Sequence, residues 1–178
     1  VCSPSRAGLM TGRYQQRFGH DNNIPPGYMK SGLPLSETFG AKRLKKTGYA
    51  TGLVGKWHLG YPAAFHPNKR GFDWFYGCLQ GSRSYFPYTN KPTANRVLQE
   101  NGRPTPEKGY VTDRLGDAAC RFIAKHRDEA FFLFVSFTAP HGPLQAKPDH
   151  LKMLAEIPAG KRRRYAGLVV SLDENVGK

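Results

Sequence analysis

Residues 130–137 read Ala-Phe-Phe-Leu-Phe-Val-Ser-Phe, an almost uninterrupted apolar run whose length and aromatic content favour a strand. A strand that is apolar along its length is typical of a parallel sheet covered on both faces. Just before it, apolar residues recur at the helical period over 111–126, which predicts an amphipathic helix capped by Thr112 or Asp113. The buried face of that helix is expected to hold Val111, Leu115, Ala118, Ala119, Phe122 and Ile123. This order predicts an α/β fold, with a mostly parallel central sheet flanked by helices.

The same order of helix and strand appears earlier in the chain. Residues 34–46 are predicted to form a helix that stops at Gly48, and residues 49–54 the strand after it. A short helix is expected over 4–11, because a proline suits its first turn and a glycine follows it. Residues 60–109 are rich in glycine, proline and aromatic residues and are expected to be substrate-facing loops with minor strands. A last helix is expected to bury Tyr165, Leu168, Val169, Leu172 and Val176 on one side.

The chain is strongly basic, with 27 Lys and Arg against 13 Asp and Glu in 178 residues, a net charge of +14. Such an excess fits either a polyanionic partner or a solvated basic face whose acidic counterpart lies elsewhere. The second interpretation is favoured, because the basic clusters lie in helical patterns. They are Lys42, Arg43, Lys45 and Lys46, and residues 161–164. No aromatic residues alternate with them as base-stacking platforms would, so nucleic acid is not expected as a partner.

Both ends of the chain read as interrupted. It does not begin with Met, and residues 171–178 resemble the middle of a helix. We therefore expect one partial domain over residues 1–178, truncated at both ends. No apolar run is long enough to cross a membrane, and the lack of a leader in such a fragment says nothing about localisation.

The three cysteines are Cys2, Cys78 and Cys120. Their number is odd and none is paired in a CxxC spacing, so a zinc site is not expected. Cys120 is expected to be a small buried residue on the apolar side of its helix. If Cys2 has a separate role, the other two either pair or stay reduced.

Three segments place reactive side chains where an α/β sheet presents chemistry, at helix starts and after strands. Cys2 precedes the helix over 4–11, whose free N–H groups favour a thiolate or an anion. Lys56 and His58 follow the strand 49–54 and can project to one side. His141 follows the strand 130–137 between two prolines. Each alone has an ordinary interpretation as a buried cysteine, a chance triplet or a loop histidine. The other histidines, His20, His66, His126 and His150, are expected on the surface.

Together these segments resemble the type I sulfatases, the formylglycine-dependent, arylsulfatase-like members of the alkaline-phosphatase-like superfamily. Residues 2–12 fit the pattern Cys-x-Pro-Ser-Arg-x-x-x-(Leu/Met)-Thr-Gly. Residues 55–60 read Gly-Lys-Trp-His-Leu-Gly and residues 140–143 fit Pro-His-x-Pro, both as in that family. The resemblance extends over nearly the whole chain and implies a part of a sulfatase catalytic domain.

The resemblance implies a sulfuric ester hydrolase in which Cys2 is oxidised to formylglycine, whose hydrate attacks the sulfur of the ester. Arg6 would orient that hydrate, and Lys56 would bind the sulfate oxygens. His58 would take the proton that lets sulfate leave, and His141 would contact the ester oxygen and protonate the leaving group.

The resemblance also implies a divalent cation, Ca²⁺ or Mg²⁺, for which formylglycine at position 2 is the one ligand in this chain. The carboxylate and amide ligands of the family are expected outside these residues. Asp21 with Asn22, and Asp173 with Asn175, lie in the wrong context to replace them. This chain alone is therefore expected to be inactive.

Further expectations concern the parent protein. Its substrate would be an aryl sulfate or a sulfated carbohydrate, with Arg83 or Tyr85 as weaker candidates for contacting it. A formylglycine-generating enzyme would mature it, and export to the periplasm, the extracellular space or the lysosome is expected. Two alternatives stay open: a phosphonate or phosphodiester hydrolase that uses the same formylglycine, and a non-catalytic relative that binds sulfated glycans.

Overall fold

A computed structural model describes residues 2–178. The helices are α1 (Cys2–Thr11), α2 (Gly40–Lys46), α3 (Val111–His126), α4 (Pro148–Met153) and α5 (Lys161–Val176). The strands are β1 (Ala50–Lys56), β2 (Trp74–Cys78), β3 (Gln99–Glu100), β4 (Arg103–Pro104) and β5 (Phe131–Ser136). Short 3₁₀ helices lie at Gln15–Phe18, Ala63–Phe65, Pro67–Lys69 and Ala94–Arg96. None of the helices in this part of the chain is long and apolar enough to cross a bilayer.

The five strands form one sheet in the order β4-β3-β2-β1-β5. β1 is parallel to both β2 and β5, whereas β3 pairs antiparallel with β2 and with β4. The predicted α/β fold with a mostly parallel sheet is confirmed. The carboxyl ends of β1, β2 and β5 meet at one edge, which is where open α/β sheets present their ligands.

At that edge two glycines of the parallel strands leave no room for a side chain. A side chain at Gly55 of β1, whose φ is +112°, would collide with the backbone oxygen of Ser136 in β5. A side chain at Gly77 of β2 would collide with the backbone oxygen of Gly55. The spacing of the strands at this edge therefore depends on glycine on both sides of the β1 backbone.

Successive residues of the parallel strands point into two separate cores. Leu53 and Phe75 enter one core with Ala7 and Met10 of α1. Their neighbours Val54 and Tyr76 enter the other, with Leu115 and Ala118 of α3 and Leu168 of α5. Each fully buried Leu, Val or Phe side chain contributes roughly 1.5–3 kcal/mol. The sheet is thus fixed by packing on both faces.

The second helix is shorter than predicted, because it begins at Gly40 rather than near residue 34. The cause is Arg70, whose buried guanidinium donates to the backbone oxygens of Leu33, Pro34 and Glu37. Those carbonyls are therefore committed to a distant side chain instead of a helical ladder. The predicted stop at Gly48 is confirmed by its left-handed φ of +91°.

Two strands differ from expectation. β1 extends to Lys56, two residues beyond the prediction. β2 is a buried central strand in a segment expected to hold only minor strands, because its sequence Trp-Phe-Tyr-Gly-Cys shows no clear period.

β5 is half-buried along 131–135 rather than buried throughout, since among the described residues it pairs on one side only.

The bounds of α3 agree with the predicted 111–126, but its predicted cap is wrong. Tyr110 occupies the N-cap position without a side-chain bond, and Thr112 is buried inside the first turn. Ile123 was predicted to be buried and is 44% exposed.

The predicted buried face of α5 is also only partly right. Leu168 is fully buried, whereas Tyr165, Val169 and Val176 are exposed. The small and polar residues Gly167, Ser171 and Asn175 occupy the buried face instead. The reason is polar packing: Ser171 bonds the ring of His150, and Asn175 donates to Asp113 of α3.

All three cysteines are free; Cys78 is buried and Cys120, predicted to be buried, is partly exposed.

Candidate active site

The four predicted reactive side chains meet above the carboxyl edge of the sheet. Lys56 is the last residue of β1, His58 follows it, and His141 lies five residues beyond the end of β5. Cys2 opens α1 directly opposite. Beside them lies a cavity of about 210 Å³. It is lined by Cys2, Asn23, Ile24, Pro25, Pro26, His58, Gln80, Gly81, Ser82 and His141.

Cys2 is half-buried in the first turn of α1. The backbone N–H groups of that turn have no helical acceptors, so they favour negative charge beside the sulfur. The Cys2 Sγ atom lies 4.0 Å from Nε2 of His141. A group bound to the side chain at position 2 would therefore lie next to the His141 ring.

Arg6 lies one helical turn after Cys2 and fastens α1 to the sheet. Its Nε donates to the backbone oxygen of Trp57 at 2.7 Å, and its Nη2 bonds the backbone oxygen of Lys56 and the hydroxyl of Ser136. Burial lowers the pKa of Arg6 to about 10, so the group stays charged at neutral pH. Arg6 thus joins α1 to the ends of β1 and β5, a positioning contribution separate from the role predicted for it at Cys2.

Lys56 brings a buried positive charge to the site, with 6% of its surface exposed. Burial lowers the pKa of its ammonium group, and a hydrogen bond with the Cys2 side chain opposes that shift. A cation in this position attracts an anionic group bound next to Cys2 more strongly than it would in water.

The His58 ring is fixed in one orientation. Its Nε2 lies 3.1 Å from the backbone oxygen of Ile24. Because a carbonyl only accepts, Nε2 carries the hydrogen and Nδ1 carries the lone pair. Nδ1 is buried without a protein partner. Burial lowers the pKa of His58 to about 4, so the ring is neutral near pH 7 and Nδ1 keeps its lone pair.

His141 has the opposite tautomer. Its Nδ1 lies 2.8 Å from the backbone oxygen of Gly142, which assigns the hydrogen to Nδ1 and directs Nε2 towards Cys2. Its backbone oxygen accepts a bond of 2.7 Å from the hydroxyl of Tyr85. Nε2 is therefore the nitrogen of His141 that faces the Cys2 side chain.

Arg83 and Tyr85 are buried and do not line the cavity beside Cys2. Arg83 is 2% exposed, and its guanidinium is bonded to Glu107 and to the backbone oxygens of Ser84 and Arg96. Tyr85 is 1% exposed. Their placement argues against the predicted substrate contacts, and Tyr85 instead supports the His141 backbone.

The prediction that four histidines lie on the surface is wrong for two of them. His20 is buried and its Nε2 lies 2.7 Å from the hydroxyl of Ser3. His150 is buried between Ser171 and Glu174. His66 and His126 are half-buried. Both buried rings bond to residues distant in sequence, so no local pattern reveals them.

Sequence reasoning also missed Ser3, Asn23 and Ser136 as neighbours of the site. Ser3 lies within the signature segment, at the variable position of the pattern Cys-x-Pro-Ser-Arg. Nothing in the spacing of Asn23 or Ser136 marks them.

The side chains of the described chain do not fit a complete metal site. Among residues 2–178, no group of three or more His, Cys, Asp or Glu side chains is placed to hold an ion. Ca²⁺ requires six to eight oxygen ligands.

Comparisons with known proteins agree with this geometry. The family model described as Sulfatase matches residues 1–178. The chain is 34% identical to arylsulfatase J of Mus musculus and 34% identical to N-acetylgalactosamine-6-sulfatase of Homo sapiens, over 99% and 100% of its length. It spans only 31% and 36% of those two proteins.

Among solved structures, the chain is similar to Ps i-CgsB in complex with k-i-k-neocarrahexaose, with a TM-score of 0.94 and 39% identity. That match includes 99% of this chain and 43% of the other. The chain belongs to the sulfatase family, whose members in general use a formylglycine and a metal ion.

Proposed function

We propose that the full-length protein hydrolyses sulfate esters, with the catalytic groups Cys2, Lys56, His58 and His141 and with Arg6 fastening the site. The observation that carries this proposal is the convergence of Cys2, a buried lysine and two histidines of complementary tautomer at one sheet edge. Membership of the sulfatase family supports it.

Addition of water to the aldehyde of formylglycine at position 2 would give a hydrate, and one of its two hydroxyl oxygens would attack sulfur. As the S–O bond to the alcohol breaks, negative charge develops on the leaving oxygen, and Nε2 of His141 in its protonated form gives that oxygen a proton. The Lys56 ammonium stabilises the charge of the sulfate oxygens throughout. Nδ1 of His58 accepts the proton released at position 2 when sulfate departs. The product alcohol thus gains the proton that His141 gives up.

The substrate that we propose is a sulfated carbohydrate. The relative with 39% identity was solved with a neocarrahexaose, and a curated relative is named for N-acetylgalactosamine-6-sulfate chemistry. This proposal selects the first of the two interpretations of the +14 charge of these 178 residues, attraction of a polyanionic partner. Of the basic clusters, residues 42, 43, 45 and 46 on α2 and 161, 162 and 164 on α5 are exposed.

Three further requirements belong to this proposal. A maturation enzyme would oxidise Cys2. A divalent cation, Ca²⁺ or Mg²⁺, would take its remaining ligands from sequence outside residues 2–178. The full-length protein would be exported to the periplasm, the extracellular space or the lysosome; fractionation of cells that produce the full-length protein checks this.

The test uses the full-length protein produced together with a formylglycine-generating enzyme. We expect the peptide that contains Cys2 to lose the mass that separates a thiol side chain from an aldehyde. We also expect hydrolysis of an aryl sulfate and of a sulfated oligosaccharide, which Cys2→Ala abolishes. Preference for a phosphonate monoester would favour the related hydrolase activity. A matured aldehyde with no hydrolysis of either class would refute the proposal.

A further inference from the structure

Three groups next to the reactive constellation form a hydrogen-bonded unit around the second residue of α1. The hydroxyl of Ser3 lies 2.7 Å from Nε2 of His20 and 2.7 Å from the backbone oxygen of His58. The backbone N–H of Ser3 donates to Oδ1 of Asn23 at 2.8 Å. We call Ser3, His20 and Asn23 the Ser3 cluster. Ser3 is fully buried and His20 is 7% exposed.

The direction of these bonds follows from the chemistry of the groups. A backbone oxygen only accepts, so the single hydroxyl hydrogen of Ser3 goes to His58. The hydroxyl oxygen must then accept from His20, which requires a hydrogen on Nε2 of that ring. The chain of donors runs from His20 through Ser3 to the His58 carbonyl. Burial lowers the pKa of His20, so a neutral ring with this one tautomer satisfies the arrangement.

The His58 backbone is held at its N–H by the oxygen of Leu79 and at its own oxygen by the hydroxyl of Ser3. Its φ is +61°, a left-handed conformation that costs a residue with a side chain roughly 1 kcal/mol or more. The loop that carries His20 and Asn23 also carries Ile24, whose backbone oxygen accepts from the His58 ring. The loop over residues 20–24 therefore holds His58 in two ways. Ile24 bonds the ring directly, and His20 acts on the backbone oxygen through the hydroxyl of Ser3.

We propose that Ser3 and His20 are positioning residues that fix the left-handed backbone of His58 and, with it, the orientation of its ring beside the cavity that Cys2 also lines. This inference rests on the proposed function, because it assigns a purpose to the orientation of a catalytic histidine. Ser3 is adjacent to Cys2, so the same bond ties the nucleophile segment to the proton acceptor. An apolar pair would fill this space without the cost of burying a hydroxyl and an imidazole.

The experiment compares four variants at Ser3 and His20, and one control variant, of the full-length, matured protein with wild type. His20→Leu removes the donor at similar bulk, whereas His20→Gln retains an N–H near the position of Nε2. Ser3→Ala removes the hydroxyl, whereas Ser3→Thr keeps it. His126→Gln is the matched control, because that ring lies at the far end of α3 and pairs with Glu129.

We expect kcat for an aryl sulfate to fall about 10- to 100-fold in His20→Leu and Ser3→Ala, with KM nearly unchanged. His20→Gln and Ser3→Thr are expected to recover most of that loss. The ¹⁵N NMR signals of the His58 ring, recorded on the unmatured Cys2 form, should show one tautomer in wild type and a mixture in His20→Leu.

The proposal is overturned if folded His20→Leu retains the wild-type kcat and the single His58 tautomer. It is equally overturned if His20→Gln loses as much activity as His20→Leu although both melt at the wild-type temperature. Should wild type itself lack sulfatase activity, the proposed function fails, and the tautomer of His58 in His20→Leu still decides whether the cluster orients it. If His20→Leu does not fold, the comparison of Ser3→Ala with Ser3→Thr gives the same decision.

Discussion

Replacing Gly81 with alanine would place a methyl group against the ring of His58. The new Cβ would lie 2.6 Å from Nδ1, whereas ordinary contacts of a Cβ begin near 3.4 Å. The φ of Gly81 is not positive, so alanine fits its backbone and the collision is the main effect. The other nitrogen of the His58 ring, Nε2, is bonded to the Ile24 oxygen. The ring can therefore move away from the methyl group only if this bond breaks or if the Ile24 backbone moves as well.

The size of the effect follows from how far the His58 ring must move to restore an ordinary contact distance. A displacement of the His58 ring by about 1 Å is expected to lower kcat about 100-fold, or about 2.7 kcal/mol of transition-state stabilisation. The assay is the steady-state hydrolysis of an aryl sulfate by the full-length, matured protein. Gly40→Ala is the matched control, because the same added methyl meets nothing within 4 Å at the start of α2. A kcat for folded Gly81→Ala within threefold of wild type would refute the assignment of His58 Nδ1 as proton acceptor.

Three further predictions use other contacts of the full-length protein. Arg6→Lys should lower the free energy of unfolding in urea by roughly 2–3 kcal/mol, because one ammonium group cannot replace the several hydrogen bonds of the guanidinium. An unchanged urea midpoint of unfolding would contradict the positioning role of Arg6. Tyr85→Phe should lower the free energy of unfolding by about 1 kcal/mol and reduce kcat/KM, since the backbone oxygen of His141 loses its hydrogen-bond donor. Equal kcat/KM values for Tyr85→Phe and wild type would show that this bond does not position His141. Stability should fall as the pH drops from 6.5 towards 4, because burial holds the pKa of His58 at about 4 and lowers that of His66, so the unfolded chain binds protons first. Each unit of pKa difference contributes about 1.4 kcal/mol, and melting temperatures that stay level over this range, or a His58→Gln variant as acid-sensitive as wild type, would contradict it.

Local signals were sufficient for much of the fold. The period of 111–126 gave the bounds of α3, and the glycines at 12 and 48 mark helix ends because both adopt positive φ. The apolar run at 130–137 identified β5 and hence a parallel sheet. In each case the determining interaction lies within a few residues of the element.

The errors arose where distant residues decide the local structure. Arg70 takes backbone oxygens more than thirty positions earlier and so shortens α2. His20 is buried by a bond to Ser3, seventeen positions away. β2 was not recognised as central, since its pairing with β1 cannot be deduced from its own composition.

The candidate site was anticipated through motifs rather than geometry. The motifs named Cys2, Lys56, His58 and His141, and the structure brings them to one edge of the sheet. The tautomers of the two rings and the Ser3 cluster required coordinates, because they depend on the backbone oxygens of Ile24, Gly142 and His58.

The close approach of β1, β2 and β5 has a consequence for how this protein tolerates mutation. Because main-chain atoms of Gly55, Gly77 and Ser136 are in contact, the separation of the strand ends that carry the site does not depend on any side chain there. Any side chain added at Gly55 or Gly77 would spread the strands apart. In a library of random variants, these two positions should be as intolerant as the reactive residues, although neither takes part in the chemistry.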